Sequence, residues 1–253
     1  MNKKNILIIG GHDPTGGAGI SADQETAYSK KIRVLSILSC FTVQNSSKVS
    51  SVHYVPKGYI TKCYDQITKE FKINSIKIGL VPSLDAAKEI LKIICKEENQ
   101  NIPIILDPIL ISGNEYRFLK KNVITFLIKK IIKRVDIITP NLFEYEIIEK
   151  ELVGQKNYRL KNIIITNFRK DENFIFIKSF DLSNNNSSKI YKVKRYKKKY
   201  HGTGCTFSTK LICELTLTDN FNDSLKISLN YMRKVIRSSK YKGLKQYYLN
   251  RIL

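Results

Sequence analysis

The chain has 253 residues, ample for one α/β domain with a sizeable core, and its 42% hydrophobic content with 14 Tyr and 11 Phe excludes intrinsic disorder. Forty-four Lys+Arg against 22 Asp+Glu give a net charge of +22, but the basic residues are scattered over the whole length, which points to drift from A/T-rich codons; a base-balanced coding sequence would overturn that reading. No apolar run approaches the roughly 20 residues of a membrane span, and five widely spaced cysteines with no CxxC and three His argue against a zinc or disulfide framework.

The opening MNKKNILIIG has too short an apolar stretch for a signal peptide, so a cytosolic protein is expected. Residues 5–10 read as a first buried strand running into the glycine-rich GHDPTGGAG. Further strands are expected at 34–39, 75–78, 102–106, 136–138 and 163–165, with helices between them. One helix covers 57–71, with Tyr59, Ile60, Cys63, Ile67 and Phe71 on one face; another is capped by Ser83 and buries Ala87, Ile90, Leu91 and Ile94. From about residue 160, KNIIIT, ENFIFI and SKIYKVK read as hairpin strands, with 184–188 as a polar loop tip. After Gly204 the period is helical again, with Phe207, Leu211, Ile212 and Leu215 on one stripe and Leu225, Leu229, Met232 and Ile236 on the next. No boundary or repeat divides the chain. The pattern predicts a single doubly wound α/β domain, mostly parallel, with one antiparallel edge within about 161–195.

Ligands of such sheets gather at the carboxyl ends of strands, and four segments there carry chemistry. In Gly10–Asp23, glycines at 11, 16, 17 and 19 allow positive φ and close backbone approach, though the segment is neither a dinucleotide fingerprint nor a Walker loop. Val43, Gln44 and Asn45 place two amides where a planar heterocycle could be read. Asn141 and Glu144, one helical turn apart, suit Mg²⁺ held through water, and hence nucleotide phosphates. His201-Gly202-Thr203-Gly204-Cys205-Thr206 precedes an amphipathic helix, so its backbone N–H groups form an anion hole. Cys205 falls in the first turn, where the helix field favours thiolate; a base beside an anion hole is what phosphoryl transfer to an alcohol uses. Each segment also has a plainer reading: a glycine turn, a solvated loop, an acidic helix start, a structural cysteine at a cap.

Taken together, GGHDPTGGAGISAD, VQN, KIGL, LDP, TPNLFE and HGTGCT resemble, in order and spacing from residue 5 to about 215, the hydroxymethylpyrimidine/phosphomethylpyrimidine kinases of thiamine biosynthesis, in the ribokinase-like superfamily. The resemblance implies a ribokinase-like sheet flanked by helices on both faces, usually a homodimer. It also implies ATP- and Mg²⁺-dependent phosphorylation of 4-amino-5-hydroxymethyl-2-methylpyrimidine and then of its monophosphate. By motif, Gly11, Asp23, Gln44 and backbone near Ile109 hold the pyrimidine. Asn141, Glu144 and Thr166 serve ATP, with Glu144 and Asp107 organising Mg²⁺. Gly202, Thr203 and Gly204 form the anion hole and Cys205 is the base.

Cys where sugar kinases of the superfamily carry Asp points to the pyrimidine branch; pyridoxal phosphorylation is the alternative within the superfamily. Three departures stand out. The family's Lys-Gly-Gly-His is replaced by Thr166-Asn167-Phe168-Arg169, a loss of a cation that could cost on the order of 10²-fold in rate unless Arg169 or Lys170 reaches in. Ile111-Ser112-Gly113 is shorter than the usual Ala-Lys-Ser-Gly stretch, and the basic tail YKGLKQYYLNRIL carries little family pattern. Outside the kinase class stand a decayed kinase and a nucleic-acid binder resting on YKVKRYKKKY, a segment read here as a solvated strand. His12, His53 and His201 are given no catalytic part.

Overall fold

The computed structural model describes residues 4–110, 119–152, 159–184 and 187–253. Its core is a nine-stranded sheet in the order β3-β2-β1-β4-β5-β6-β7-β8-β9. The strands are β1 (Asn5–His12), β2 (Arg33–Gln44), β3 (Val49–Tyr54), β4 (Ser75–Ile78), β5 (Ile104–Leu106), β6 (Ile137–Ile138), β7 (Asn162–Lys170), β8 (Phe174–Asp181) and β9 (Ser187–Lys194). Strands β2, β1, β4, β5, β6 and β7 are parallel, whereas β3, β8 and β9 join antiparallel. The fold is the expected ribokinase-like α/β class, and the hairpin edge falls where predicted.

Alternation along the buried strands builds two cores. Leu7, Ile9, Ile76 and Ile78 face α2 (Tyr59–Glu70), α3 (Leu84–Ile94) and the helical segment that starts as α4 (Lys121–Phe126), with α5 (Leu142–Leu152) on the same side. Ile6, Ile8, Ile105 and Ile137 face the other way, toward α1 (Gly19–Tyr28), α6 (Thr203–Thr218) and α7 (Phe221–Ser238). Ser83 caps α3 as expected, accepting from the Ala86 amide at 3.2 Å.

Two elements differ from expectation. The sheet has a second antiparallel edge, β3, which buries little beyond Val49 and so shows no apolar period. Asn45 holds the turn into it, its Oδ1 accepting from the amides of Ser47 and Lys48 at 2.8 and 3.1 Å, and it is not among the residues lining the cleft at the carboxyl end of the sheet; Gln44 ends β2 rather than lying in a loop. The α4 segment runs on through a wide turn (Leu127–Ile131) and a tight one (Ile132–Arg134), an irregularity that blurred its helical period. The departure at Ile111-Ser112-Gly113 and part of the 184–188 tip lie outside the described residues.

Two of the three tyrosines interleaved in the basic segment are occupied internally. Tyr191 packs on the second core and Tyr200 meets Tyr247 at 6.0 Å between ring centroids, in a small pair formed by β10 (Tyr200–His201) and β11 (Tyr247–Tyr248). Lys192 lies 3.8 Å over the Phe174 ring. No described helix is long and apolar enough to cross a membrane.

Burial pushes the core thiols of Cys40 and Cys213 up, to about 11 and about 12, from an ordinary 9.0. Above pH 9 an unfolded chain sheds thiol protons that the folded chain keeps, so stability falls as pH rises, by at most about 1.4 kcal/mol per pH unit for each thiol. Urea denaturation at pH 8 and at pH 10 should show this fall, and Cys213→Ala should make it shallower. An identical slope in the variant would remove Cys213 as a contributor.

Candidate active site

Strand order reverses between β1 and β4, the place where an open parallel sheet leaves a crevice at its carboxyl end. A cleft of about 330 Å³ opens there. All twelve residues to which the resemblance gives a site role line it: Gly11, Asp23, Gln44, Asp107, Ile109, Asn141, Glu144, Thr166, Gly202, Thr203, Gly204 and Cys205; of the other candidates, Val43 and Asn45 do not. They come from both ends of the chain and from five strands or the loops after them.

The glycine loop is built around Asp13. Its carboxylate accepts from the Thr15 amide and hydroxyl at 2.9 and 2.8 Å and from the Ala18 amide at 2.9 Å, and lies 2.7 Å from His201 Nε2. Burial raises the proton affinity of Asp13, but the His201 contact and the Thr15 amide outweigh it and hold the carboxyl below its ordinary value. The loop is thereby tied to the segment that starts α6. Of its four glycines only Gly16 and Gly19 take positive φ, 70° and 60°. Gly17 is glycine for space, since a Cβ there would collide with the His201 ring, and at Gly11 a Cβ would press on Cys40 Sγ at 3.0 Å.

Gly202 caps α6 at φ 74°, and the first intrahelical bond runs from Thr206 N to Gly202 O at 3.0 Å. The amides of Thr203, Gly204 and Cys205 come before it, and their residues face the cleft, the arrangement of an anion hole. Behind this helix end sits Lys77, fully buried. Its ammonium lies 2.5 Å from Asp23 Oδ1 and donates to Thr209 Oγ1 at 2.9 Å and to the Cys205 carbonyl at 3.2 Å. Burial opposes that charge, but Asp23, with Cys205 and Asp107, outweighs it and keeps Lys77 above its ordinary 10.5.

This network gives one expected residue a further task and corrects the expected state of another. Asp23 spends one carboxylate oxygen, Oδ1, on Lys77 and Thr209, balancing a buried cation, and it also lines the cleft. Cys205 does sit in the first turn of α6, but burial outweighs Lys77 and the Gly19 amide, and its thiol is pushed up to about 12 instead of toward thiolate.

Asn141 and Glu144 also bond each other. The Asn141 amide donates to Glu144 Oε2 and the Glu144 amide to Asn141 Oδ1, both at 2.9 Å, the reciprocal cap of a helix start; Leu110 N reaches Glu144 Oε1 at 3.2 Å. Burial and, less strongly, Asp107 push Glu144 up to about 8. Burial likewise raises Asp107, which accepts from Ser208 Oγ at 3.1 Å. Thr166 donates its amide to the Pro140 carbonyl at 2.8 Å beside them. Among the described residues no group of three or more His, Cys, Asp or Glu is placed to ligate a metal ion directly.

The cation missing from the Lys-Gly-Gly-His position is not supplied by its neighbours. Arg169 stacks 4.3 Å over Phe176 on the hairpin, Lys170 pairs with Ile175 in the ladder, and neither lines the cleft. Asn167 takes a left-handed backbone, φ 53°, at the register irregularity within β7. Lys77 is the one Lys or Arg among the described lining residues.

The C-terminal tail, unread in sequence, belongs to the site. Arg251, 2% exposed, donates to Thr206 Oγ1 at 2.8 Å, to the carbonyls of Gly16 and Gly17 at 3.3 and 2.5 Å, and to Glu25 Oε2 at 2.9 Å. It locks the glycine loop to α6. Gln246 lines the cleft. An Arg near the chain end was the available signal, but nothing local says that it is buried or which backbone it grips.

Residues 13–250 match the family model of phosphomethylpyrimidine kinase, which reaches into this tail past Gln246 but stops short of Arg251. A hydroxymethylpyrimidine/phosphomethylpyrimidine kinase of Aquifex aeolicus is 28% identical over 94% of this chain and 96% of its own length. The bifunctional thiamine biosynthesis protein ThiDN of Methanocaldococcus jannaschii is 29% identical over 94% of this chain, which spans about half of that longer protein (54%). The solved phosphomethylpyrimidine kinase of Clostridium difficile 630 superposes with a TM-score of 0.76 at 26% identity, over 92% of this chain and all of that one. A Staphylococcus aureus pyridoxal kinase solved with AMP-PCP shares the fold, with a TM-score of 0.85 at 18% identity over 100% of this chain and 95% of that one. The chain belongs to the phosphomethylpyrimidine kinase family.

Proposed function

We propose that the chain transfers the γ-phosphoryl group of ATP to the primary alcohol of 4-amino-5-hydroxymethyl-2-methylpyrimidine, and then phosphorylates the resulting monophosphate. The observation that carries this reading is the convergence of all twelve predicted residues on one cleft with the open end of α6 facing it. The names of the relatives that cover more than nine-tenths of this chain, 94% and 92%, agree with it.

In this reading Gly11, Asp23, Gln44 and Ile109 hold the ring, Asp23 while paired with Lys77. The amides of Thr203, Gly204 and Cys205 receive the migrating phosphoryl group, whose charge is also met by Lys77 behind the helix end. Cys205 takes the hydroxyl proton, with the pH dependence that its buried thiol imposes. Asn141, Glu144 and Thr166 form the nucleotide side. Glu144 and Asp107 fit a hard cation: both are oxygen donors, and their mutual repulsion with raised proton affinity is what a divalent charge relieves. Through water they would hold Mg²⁺, which, when bound, neutralises charge on the phosphate oxygens. The homodimer is part of the proposal, and light scattering should then give twice 29.2 kDa.

Turnover assays with ATP and either the hydroxymethylpyrimidine or pyridoxal should give a kcat/KM at least tenfold higher for the pyrimidine. A reversed order would make pyridoxal the substrate. No turnover of either, with a folded protein, would leave a decayed kinase.

A further inference from the structure

The described residues contain two buried side-chain oxygens without a hydrogen-bond partner, Glu214 Oε1 and Gln246 Oε1. The first is accounted for by charge, since it lies 3.0 and 3.1 Å from the ammonium groups of Lys30 and Lys210. The second has no such neighbour. Gln246 is 8% exposed, lines the cleft, and comes from the tail that sequence reasoning left without a role.

A buried amide oxygen without a donor costs about 1–3 kcal/mol, so a folded chain that retains such a group at a functional site calls for a partner that completes it. The tail is held firmly enough for this. Gly243 N donates to the Gln246 carbonyl at 2.9 Å, Tyr247 and Tyr248 pair with Tyr200 and His201, and Arg251 pins the end. Its position is also defined. The neighbouring Lys245 amide donates to Ser46 Oγ at 3.3 Å, two residues beyond Gln44, so Gln246 stands near the end of β2.

We infer that Gln246 is a specificity-determining residue, whose side-chain oxygen accepts a hydrogen bond from the exocyclic amino group of the bound pyrimidine. The inference rests on the proposed function and deepens it. The substrate offers two kinds of donor, the hydroxyl and the ring amino group. The hydroxyl is the reacting group and must face the amides of Thr203 and Gly204, which leaves the two N–H bonds of the amino group for acceptors in the cleft; Gln44 is one, and Gln246 Oε1 is the one buried without a partner. A site that keeps a polar atom for one substrate N–H rejects the analogue lacking it, because the atom is then left buried and unpaired.

The test compares 4-amino-5-hydroxymethyl-2-methylpyrimidine with 5-hydroxymethyl-2-methylpyrimidine, which lacks only the amino group, in the native chain and in Gln246→Leu. In the native chain KM should be at least about tenfold lower for the amino compound. In Gln246→Leu that KM should rise by about tenfold or more, with kcat and the KM for ATP within twofold, while the analogue's KM changes less than twofold. A merely structural role would raise both substrates' KM together. Equal KM values in the native chain overturn the inference without needing any variant, and so does an unchanged KM in a folded Gln246→Leu. Failure of the native chain to phosphorylate the amino compound at all overturns the functional reading itself, a separate outcome.

Discussion

Lys77→Met is expected to destabilise the chain by about 3–5 kcal/mol, measured by urea denaturation, and to abolish phosphoryl transfer in whatever fraction remains folded. Lys77 has no exposure, and its ammonium contacts Asp23, Thr209 and the Cys205 carbonyl. Removing the cation leaves Asp23 buried without its partner and Asp107 with higher proton affinity still. Against a total stability of about 5–15 kcal/mol, that loss leaves many chains unfolded at working temperature. Because the folded-state proton affinity of Lys77 lies above 10.5, the contribution is intact across the neutral range and fades only as pH rises through that higher value. Adding Asp23→Asn to Lys77→Met removes the orphaned charge and should recover more than 1 kcal/mol, the sign of coupling between contacting groups. A single-variant loss under about 1 kcal/mol would mean that water or relaxation compensates the carboxylates, and the buried pair would then be incidental.

The same residue marks how far the sequence could be read. KIGL was matched as a motif, yet within SIKI the lysine sits in a strand buried on every side, a local conflict that sequence alone can flag but not resolve. Its partners, Asp23 and Thr209, lie 54 and 132 positions away. Strand alternation, the Ser83 cap and the glycine-to-helix junction at Gly202 are local, and each was legible. The reciprocal bonds of Asn141 and Glu144 were legible as a spacing but ambiguous in meaning, since the same pair serves a helix cap and a cation. The β3 edge escaped because an exposed edge strand needs little apolar period. Cys205 failed in one respect only: its place at the helix end was readable, but its burial beneath the glycine loop is a tertiary fact, and burial sets its proton affinity.

That burial leads to the second large effect. With the thiol pushed up to about 12, the ionised fraction at pH 7 is small and grows about tenfold with each pH unit. If Cys205 takes the hydroxyl proton, kcat for the pyrimidine should rise with a slope near one in log units between pH 6.5 and 8.5, a window below the alkaline loss of stability argued for the buried thiols. The direction is fixed by the sign of the shift: a thiol with lowered affinity, as the helix field alone would give, would already be ionised and would leave the profile flat. Glu144, pushed up to about 8, also ionises in this window and can steepen the lower part through cation binding, so the profile is taken at saturating Mg²⁺ and ATP. Cys205→Ala should lose the rising limb and fall roughly 10²-fold below the native rate at pH 8.5, while losing much less at pH 6.5. A flat native profile, or a Cys205→Ala profile parallel to it, would remove the thiol from proton transfer. The anion hole and the late proton loss of a loose phosphoryl transition state would then carry the reaction without a side-chain base.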